Sequence, residues 1–284
     1  MNQNDAEYGI GLIEEKKVVY FAYDIECTGM LGYSYSMWDA NIHKVVEYPI
    51  LLSFSYAEYE VGKEYGENGP KVKCRTIADT DTYSVDPKND KLLVMELWEL
   101  MRKAETTLGH NSKAFDDKMS RMFFMKHGLK AIAPTQQLDT KVMAKQAGKF
   151  VSNSLNNLSD FFGIGQKTTT THADLWWDII NGGKEGKKAA KKMATYNNQD
   201  VKLTIKLFEI LRPWAKNNVN AARLANKEFA CPHCLSDDYH AEGTRSSKTG
   251  RYQRYQCNNE KCFGWFSERT AIKKKDGDIQ PAFA

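Results

Sequence analysis

The sequence has no run of about twenty apolar residues, so it contains no candidate membrane-spanning helix. Its start, Met-Asn-Gln-Asn-Asp-Ala-Glu, lacks the apolar stretch of a signal peptide. A dominant charge is missing too, because 40 basic and 36 acidic residues leave a net charge of +4, which alone does not indicate a nucleic-acid partner. These absences favour a soluble cytoplasmic protein with no membrane partner, whose function has to be inferred from local motifs.

Cysteine is scarce, and its placement argues against a disulfide framework. The chain has six cysteines, of which Cys27 and Cys74 stand alone while the other four form two close pairs. Such pairs are typical of metal sites in a reducing compartment rather than of secreted, disulfide-bonded proteins.

The pattern of apolar residues favours an α/β fold. Residues 17–26 are almost continuously apolar up to two acids, as expected of a central strand. Further strands are predicted at 49–59, 72–78 and 106–109, and helices at 90–104, 115–127, 154–162, 174–180 and 186–217. Early strands followed by interleaved helices predict a mixed β-sheet flanked by helices.

Four acidic residues stand in three separated motifs. They are Asp24 and Glu26 in Tyr-Asp-Ile-Glu-Cys-Thr-Gly, Asp116 in His-Asn-Ser-Lys-Ala-Phe-Asp, and Asp200 in Tyr-Asn-Asn-Gln-Asp. Asp24 and Glu26 share one face of their strand because side chains alternate, and Tyr196 lies one helical turn before Asp200. Carboxylates that converge repel each other unless cations lie among them. Oxygen ligands suit Mg²⁺, and paired divalent ions are a recurrent means of cleaving phosphodiesters.

These three motifs, in this order, resemble those of the DEDD exonuclease superfamily. The tyrosine of the third motif is similar to that of the branch that includes the proofreading domains of DNA polymerases. The resemblance covers residues 17–215, most of the chain. It implies a ribonuclease H-like fold and a 3′→5′ exonuclease that hydrolyses phosphodiester bonds by a two-metal mechanism.

The resemblance also implies roles for individual residues. The implied ligands of two Mg²⁺ or Mn²⁺ ions are Asp24, Glu26, Asp116 and Asp200, with Asp24 bridging both ions. Tyr196 is implied to orient the attacking water or the scissile phosphate, since an ordinary phenol stays protonated at neutral pH and is a poor general base. The implied substrate contacts are Thr28, Gly29, Asn111 and Phe115.

Alternatives remain open for some of these residues. Taken alone, Asp116 is as well explained by a place in the first turn of a helix. Asp117 competes with it, but the spacing from Asn111 favours Asp116, and Asp117 is expected to be solvated. Phe115 either contacts substrate or lies in the core.

Aromatic and basic clusters outside the motifs have two interpretations each. An apparent insertion between the first two motifs either stacks unpaired bases or forms a small satellite core. Its aromatic cluster is Tyr33, Tyr35, Met37 and Trp38. Trp176 and Trp177 are expected to pack in the protein. Five lysines within residues 184–192 either contact phosphates or form a solvated helix face.

The paired cysteines predict a structural zinc site. Cys231-x2-Cys234 and Cys257-x4-Cys262, separated by 22 residues, supply four thiolates, so neither His233 nor His240 is needed as a ligand. Metal is expected to drive the folding of so small a module. Residues 248–256 alternate basic and aromatic side chains and resemble the zinc ribbons appended to transposases and other DNA-handling proteins. The ribbon either presents Arg251 and its neighbours to phosphates or docks a protein, such as a replication or repair protein.

The sequence therefore predicts an exonuclease domain at residues 1–222, a zinc ribbon at 223–269 and a flexible tail at 270–284. The predicted function is metal-dependent 3′→5′ hydrolysis of DNA at single-stranded or frayed 3′ ends. Three alternatives remain, namely an exoribonuclease, a structure-specific endonuclease, and a nucleic-acid-binding protein without activity. Expected cofactors are two Mg²⁺ or Mn²⁺ ions and one structural Zn²⁺.

Overall fold

A computed structural model describes residues 15–35, 41–66, 69–166, 172–215, 219–227 and 229–267 of the chain. They divide into two compact units. One spans Val19–Val219, and the other joins the residues from Asn220 onward to the short segment before Val19. The predicted tail at 270–284 lies outside the described residues, and the predicted boundary after residue 222 falls within a short helix, Ala221–Leu224.

The described part of the first unit contains seven strands. They are β1 (Val19–Cys27), β2 (Leu31–Tyr33), β3 (Lys44–Glu47), β4 (Leu51–Glu60), β5 (Lys73–Thr76), β6 (Thr106–Gly109) and β7 (Gln136–Asp139). Five of them form a sheet in the order β5-β4-β1-β6-β7, while β2 and β3 form a separate hairpin. In the five-stranded sheet β4 is antiparallel to both of its neighbours, whereas β1, β6 and β7 are parallel. This confirms the predicted mixed sheet.

Within the ranges that the structure describes, six α-helices flank the sheet. They are α1 (Lys91–Met101), α2 (Asp116–Lys126), α3 (Thr140–Ala147), α4 (Leu155–Phe161), α5 (His172–Asn181) and α6 (Gly183–Leu211). The apolar residues of α1 recur every three to four positions, so Leu93, Leu97 and Met101 line one buried face. These residues belong to one core cluster with Phe21 and Ile25 of β1.

The two faces of β1 are covered by different helices, because its side chains alternate. The odd-numbered residues Phe21, Tyr23 and Ile25 pack into the core that contains α1 and α2. On the opposite face, the ring of Tyr20 meets Phe208 of α6 edge-on, with centroids 5.8 Å apart. The even-numbered Asp24 therefore points toward α6.

Element boundaries differ from the sequence predictions where local side chains intervene. The strand predicted over 72–78 ends at Thr76, because Asp79 accepts hydrogen bonds from the Thr76 N–H and hydroxyl and forms a tight turn. The helix predicted over 186–217 begins at Gly183, after Gly182 with a φ of 78° that suits only glycine well. The hairpin of β2 and β3 was not predicted, because strands of three and four residues carry little periodic signal.

In the second unit, the residues with a described structure form a short helix, α7 (Ala221–Leu224), and three strands. These are β8 (Tyr239–Ser247), β9 (Gly250–Cys257) and β10 (Trp265–Ser267), which form an antiparallel sheet in the order β10-β9-β8. Across all the residues that the structure describes, no helix combines the length and apolar character needed to span a bilayer.

Candidate active site and cysteine centre

The carboxyl ends of three parallel strands meet at one edge of the sheet. Asp24 and Glu26 lie near the end of β1, Gly109 ends β6, and Asp139 ends β7 in register with Gly109. Neighbouring parallel strands of an α/β sheet place their carboxyl ends at a common edge, where ligands usually bind. The sheet topology therefore collects acids that are far apart in sequence.

Three carboxylates converge at this edge. Asp24, Glu26 and Asp200 each offer an oxygen, and these oxygens all lie within 4.8 Å of one another. Asp24 and Glu26 share a face because they are two residues apart on β1, opposite Ser55 and Ser53 of β4. Asp200 reaches them from α6, where it is buried. An all-oxygen set at this spacing suits a hard divalent ion such as Mg²⁺ or Mn²⁺.

Asp116 lies beside this cluster rather than within it. Its Oδ1 accepts a hydrogen bond of 3.1 Å from the backbone N–H of Ile25, between Asp24 and Glu26 in the chain. Burial raises the pKa of the Asp116 carboxyl well above its ordinary value, and the charges of Asp139 and Asp200 raise it further. The assignment of Asp116 as a metal ligand thus stays a prediction.

Burial and the nearby carboxylates also raise the pKa of two neighbouring groups. Burial raises the pKa of Cys27 to about 12, with a further contribution from Glu26. Burial likewise raises the pKa of Tyr23, and Asp116, Asp117 and Asp24 add to the shift. The contributions of the acids to these shifts show that the local potential is negative, which favours a bound cation.

Asn197 is a site residue that the sequence analysis missed. Its side chain is fully buried, and its Nδ2 donates a 2.5 Å hydrogen bond to Oδ2 of Asp24. This bond fixes the rotation of the Asp24 carboxylate, as the hydrogen-bonding partners of metal ligands commonly do. Its position between Tyr196 and Asp200 was visible in the sequence, but its orientation toward β1 depends on how α6 packs.

Replacing Asn197 by alanine is expected to weaken divalent-metal affinity by about 10- to 100-fold, because Asp24 loses the group that orients it. Isothermal titration of the metal-free protein with Mn²⁺ measures the effect. Asn198→Ala, which removes the next amide of the same helix, serves as the control and should change the affinity by no more than about twofold. Equal affinities for Asn197→Ala and the unchanged protein would exclude an orienting role.

Asp139 organises the loop that leads to Asp116. Its buried carboxylate accepts four backbone hydrogen bonds, from Asn111 and Lys113 in that loop and from Lys141 and Val142 at the start of α3. Asn111 needs such support because its φ of 65° lies in the left-handed region. An acid directly before a helix can be predicted from sequence to cap that helix. The hydrogen bonds from Asn111 and Lys113 to Asp139 cannot be predicted in this way.

Asp139→Ala is expected to lower the free energy of unfolding by at least about 3 kcal/mol, since hydrogen bonds to a charged group contribute roughly 1.5–3 kcal/mol each. Denaturant unfolding measures it. Ser154→Ala is a matched control, because Ser154 caps α4 through one bond, to the Asn157 N–H, and should cost about 1 kcal/mol. A loss for Asp139→Ala no larger than the control would contradict the anchoring role.

The implied substrate contacts lie around this edge. Thr28 is tied to Ile50 by two hydrogen bonds, one through its backbone N–H and one accepted by its hydroxyl. Gly29 is exposed, and a Cβ there would lie 3.8 Å from Trp176. Phe115 is 43% exposed, so it is not a core residue, and contact with substrate remains the prediction for it.

Several other expectations are settled by burial. Asp117 is buried and pairs with Arg121 at 3.1 Å, so its expected solvation was wrong. Trp176 packs against the core as expected, but Trp177 is 59% exposed. The five lysines of residues 184–192 are all exposed, and Lys188 pairs with Glu185.

The aromatic cluster of the insertion is only partly described. Tyr33 and Tyr35 are exposed, and the ring of Tyr35 contacts that of His43 at a tilt of 52°, with centroids 4.4 Å apart. A satellite core is therefore the wrong interpretation for these two tyrosines. Met37 and Trp38 lie outside the described residues.

The four paired cysteines form a second cluster with the geometry of a zinc site. Sγ of Cys231 is 3.8 Å from Sγ of Cys262, and Sγ of Cys234 is 3.6 Å from Sγ of Cys257. Tetrahedral zinc with bonds of about 2.3 Å places its sulfur ligands about 3.8 Å apart, so these residues fit Zn²⁺. Disulfides are excluded, because their sulfurs would be about 2.05 Å apart.

The backbone of both cysteine turns directs the thiols toward one another. Leu235 follows Cys234 with a φ of 67°, and Phe263 follows Cys262 with a φ of 47°. Each left-handed residue turns the chain away just after its cysteine, so the thiols point to a common centre. His233 instead contacts the carbonyl of Trp265 through Nε2 and is not part of the cysteine cluster.

Comparisons with known proteins find similarity among solved structures but not among family models or curated sequences. No protein-family model matches the sequence. No curated protein sequence matches it either. Among solved structures, the chain is similar to the family B DNA polymerase of the hyperthermophilic archaeon Pyrobaculum calidifontis, with a TM-score of 0.47 and 12% sequence identity. That match covers 69% of this chain and 25% of the polymerase, and at this level it carries no conclusion about activity.

Proposed function

We propose that this chain is a divalent-metal-dependent 3′→5′ exonuclease that hydrolyses DNA, with single-stranded or frayed 3′ ends as its preferred substrate. The observation that supports this most is the convergence of Asp24, Glu26 and Asp200 within 4.8 Å. Three carboxylates held together beside a buried fourth serve little structural purpose, because their charges repel. They are well suited to binding divalent cations next to a phosphodiester.

Bound Mg²⁺ or Mn²⁺ would activate water and stabilise the charge that develops on the phosphate. The protein's own groups hold and align the reactants. Asp24, Glu26 and Asp200 are the groups that would hold the cations, and the Asn197 amide keeps the Asp24 carboxylate in one orientation. Tyr196, one turn before Asp200 on α6, would donate a hydrogen bond that orients the water or the phosphate.

The direction of cleavage and the preference for DNA come from the resemblance of the three motifs to proofreading exonucleases. Exposed rings close in sequence to the acidic motifs fit such a substrate. Phe115 directly precedes Asp116, and Tyr33 and Tyr35 belong to the insertion that follows Gly29. Bases without a complementary strand can stack on such rings irrespective of their sequence.

The test is a time course of degradation with matched single-stranded DNA and RNA oligonucleotides, labelled at either the 3′ or the 5′ end, with Mg²⁺ or Mn²⁺. A 3′→5′ exonuclease releases labelled mononucleotides at once from 3′-labelled strands. From 5′-labelled strands it produces a ladder that shortens with time. EDTA is expected to abolish both patterns.

Each alternative gives a different outcome. Faster loss of RNA than of DNA would identify an exoribonuclease. Long labelled fragments, or cutting of circular single strands, would identify an endonuclease. Binding of the oligonucleotides without hydrolysis in any metal would overturn the enzymatic proposal and leave a nucleic-acid-binding protein.

A further inference from the structure

The two faces of the ribbon sheet differ sharply in what they carry. Tyr255 lies two residues before Cys257 on β9, and strand alternation puts both on one face. There Tyr239, Tyr255 and Phe266 pack ring against ring, with centroids 5.1–5.5 Å apart. Phe266 also packs against the cysteine cluster. This face is the small core of the module.

The opposite face carries two pairs of arginine and aromatic side chains. The guanidinium of Arg254 lies over the ring of Trp265 at 5.0 Å from its centroid, and that of Arg245 lies over Tyr252 at 5.6 Å. Arg254 and Tyr252 are two residues apart on β9, and Tyr252 pairs directly with Arg245. Trp265 is the strand partner of Gln256, which lies on the same face of β9 as Tyr252 and Arg254. Both arginine–aromatic pairs therefore share one face of the sheet.

This arginine–aromatic face is accessible and locally basic. Trp265 is 44% exposed, and both arginines are exposed. Residues 243–255 contain four basic residues, Arg245, Lys248, Arg251 and Arg254, and no acid. The adjacent acid, Glu242, contacts Nε2 of His240 at 3.5 Å.

The backbone is shaped to hold Arg254 in this position. A bulge interrupts the pairing of β8 and β9 between Ala241 and Thr244. Within it, Gly243 has a φ of 63°, and a Cβ there would lie 3.2 Å from Nη2 of Arg254. The carbonyl of Glu242 accepts a hydrogen bond from Nε of the same arginine. A glycine and a bulge therefore make room for the guanidinium over the Trp265 ring.

We propose that the arginine–aromatic face binds single-stranded nucleic acid, with bases stacking on Trp265 and Tyr252 and phosphates contacting Arg245 and Arg254. Proteins that bind single strands of any sequence combine aromatic rings, on which bases stack, with basic groups that contact the phosphate backbone. A helix of a protein partner would instead require a continuous apolar groove, whereas the rings of this face are interrupted by guanidinium groups. The proposed function enters this inference at one point, where the strand bound by the ribbon is taken to be the substrate that the first unit hydrolyses.

Binding of the full-length, zinc-loaded protein to a fluorescein-labelled oligothymidine, followed by anisotropy without Mg²⁺, tests the proposal. Trp265→Ala is expected to weaken binding about tenfold, and Trp265→Phe to restore most of it, because the ring is what stacks. Arg245→Ala with Arg254→Ala should also weaken binding about tenfold. The same double variant should make the slope of log K against log salt concentration less steep by about 1.4, because each of two lost phosphate contacts contributes about 0.7 to that slope.

The matched control is Arg251→Ala with Lys261→Ala, which removes two charges from the same module but none of the four side chains that define the arginine–aromatic face. Arg251 lies on the core face, where it donates to Thr244. The control should change the affinity no more than about twofold. Equal weakening by both double variants would overturn the proposal in favour of net charge alone, and unchanged binding by Trp265→Ala would overturn the stacking role.

Two further readouts keep the outcomes separate. Zinc content is measured for each variant; where Trp265→Ala has lost zinc, Trp265→Phe and the arginine pair decide the result. Hydrolysis of a dinucleotide is measured in parallel and is expected to be unaffected by the ribbon variants. If the unchanged protein binds the oligonucleotide through the ribbon but hydrolyses nothing, the exonuclease proposal is contradicted and nucleic-acid binding by the arginine–aromatic face is supported. If the protein hydrolyses the strand but the ribbon variants bind normally, the exonuclease proposal is supported and binding by this face is contradicted.

Discussion

Asp24→Asn is expected to lower the rate of hydrolysis of a 3′-labelled single strand about a thousandfold while leaving the fold intact. Asp24 belongs to the three-carboxylate cluster, and its Oδ2 accepts the hydrogen bond from Asn197. Losing its charge removes about 4 kcal/mol of transition-state stabilisation from the cation site, and each 1.4 kcal/mol or so is a factor of ten.

Stability should move in the opposite direction from activity. Without metal, Asp24, Glu26 and Asp200 repel each other, so the neutral amide is expected to raise the melting temperature of the metal-free protein slightly. The amide oxygen can still accept the bond from Asn197. Mg²⁺ should therefore raise the melting temperature of the unchanged protein but have little effect on Asp24→Asn. Thermal unfolding with and without Mg²⁺ measures both expectations.

Asp117→Asn is the matched control for this experiment. It removes a buried carboxylate at the start of α2, but Asp117 pairs with Arg121 and lies outside the three-carboxylate cluster. Activity within a few-fold of the unchanged protein is expected. Comparable losses in Asp117→Asn and Asp24→Asn, or activity surviving in Asp24→Asn, would mean that the site has been misassigned.

The second large effect is expected from loss of zinc. Cys262→Ser should abolish the binding of one Zn²⁺ per chain and unfold residues 231–267, because structural zinc contributes about 10–16 kcal/mol to the folding of small modules. The module has little else to hold it, since its core is the four cysteines and three aromatic rings. Hydrogen exchange should show rapid exchange in β8 and β9, with β1 and β4 still protected.

Cys74→Ser controls for the loss of a thiol. Cys74 lies in β5 of the first unit and is not part of the cysteine cluster. Its replacement should leave the zinc content at one per chain and the protection of β8 and β9 unchanged. Full zinc content and protection in Cys262→Ser would show that the four thiols do not form one structural site.

Much of the fold followed from local patterns. The apolar run before Asp24 marked β1, and the three-to-four-residue spacing of Leu93, Leu97 and Met101 marked α1. Such patterns persist because each element must bury one face. The hairpin of β2 and β3 escaped prediction because half-exposed strands of three or four residues lack that pressure.

The candidate site was only partly accessible to the same reasoning. Motif order selected Asp24, Glu26 and Asp200, which the structure brings together. Asn197 and Asp139 were missed, because an amide on a helix or an acid before one has several ordinary uses. Their long-range bonds, to Asp24 and to the loop at Asn111, appear only when the packing of α6 and the register of β6 with β7 are known.

Residue identities and spacings were enough to specify the acids that could bind divalent ions and the thiols that could bind zinc, because chemical character and local periodicity belong to short stretches of chain. Folding had to establish which oxygens share 4.8 Å of space, which amide holds Asp24, and which ribbon face presents its arginines and rings. Those facts join residues up to 176 positions apart, so they depend on strand order, register and helix packing, which no single segment encodes.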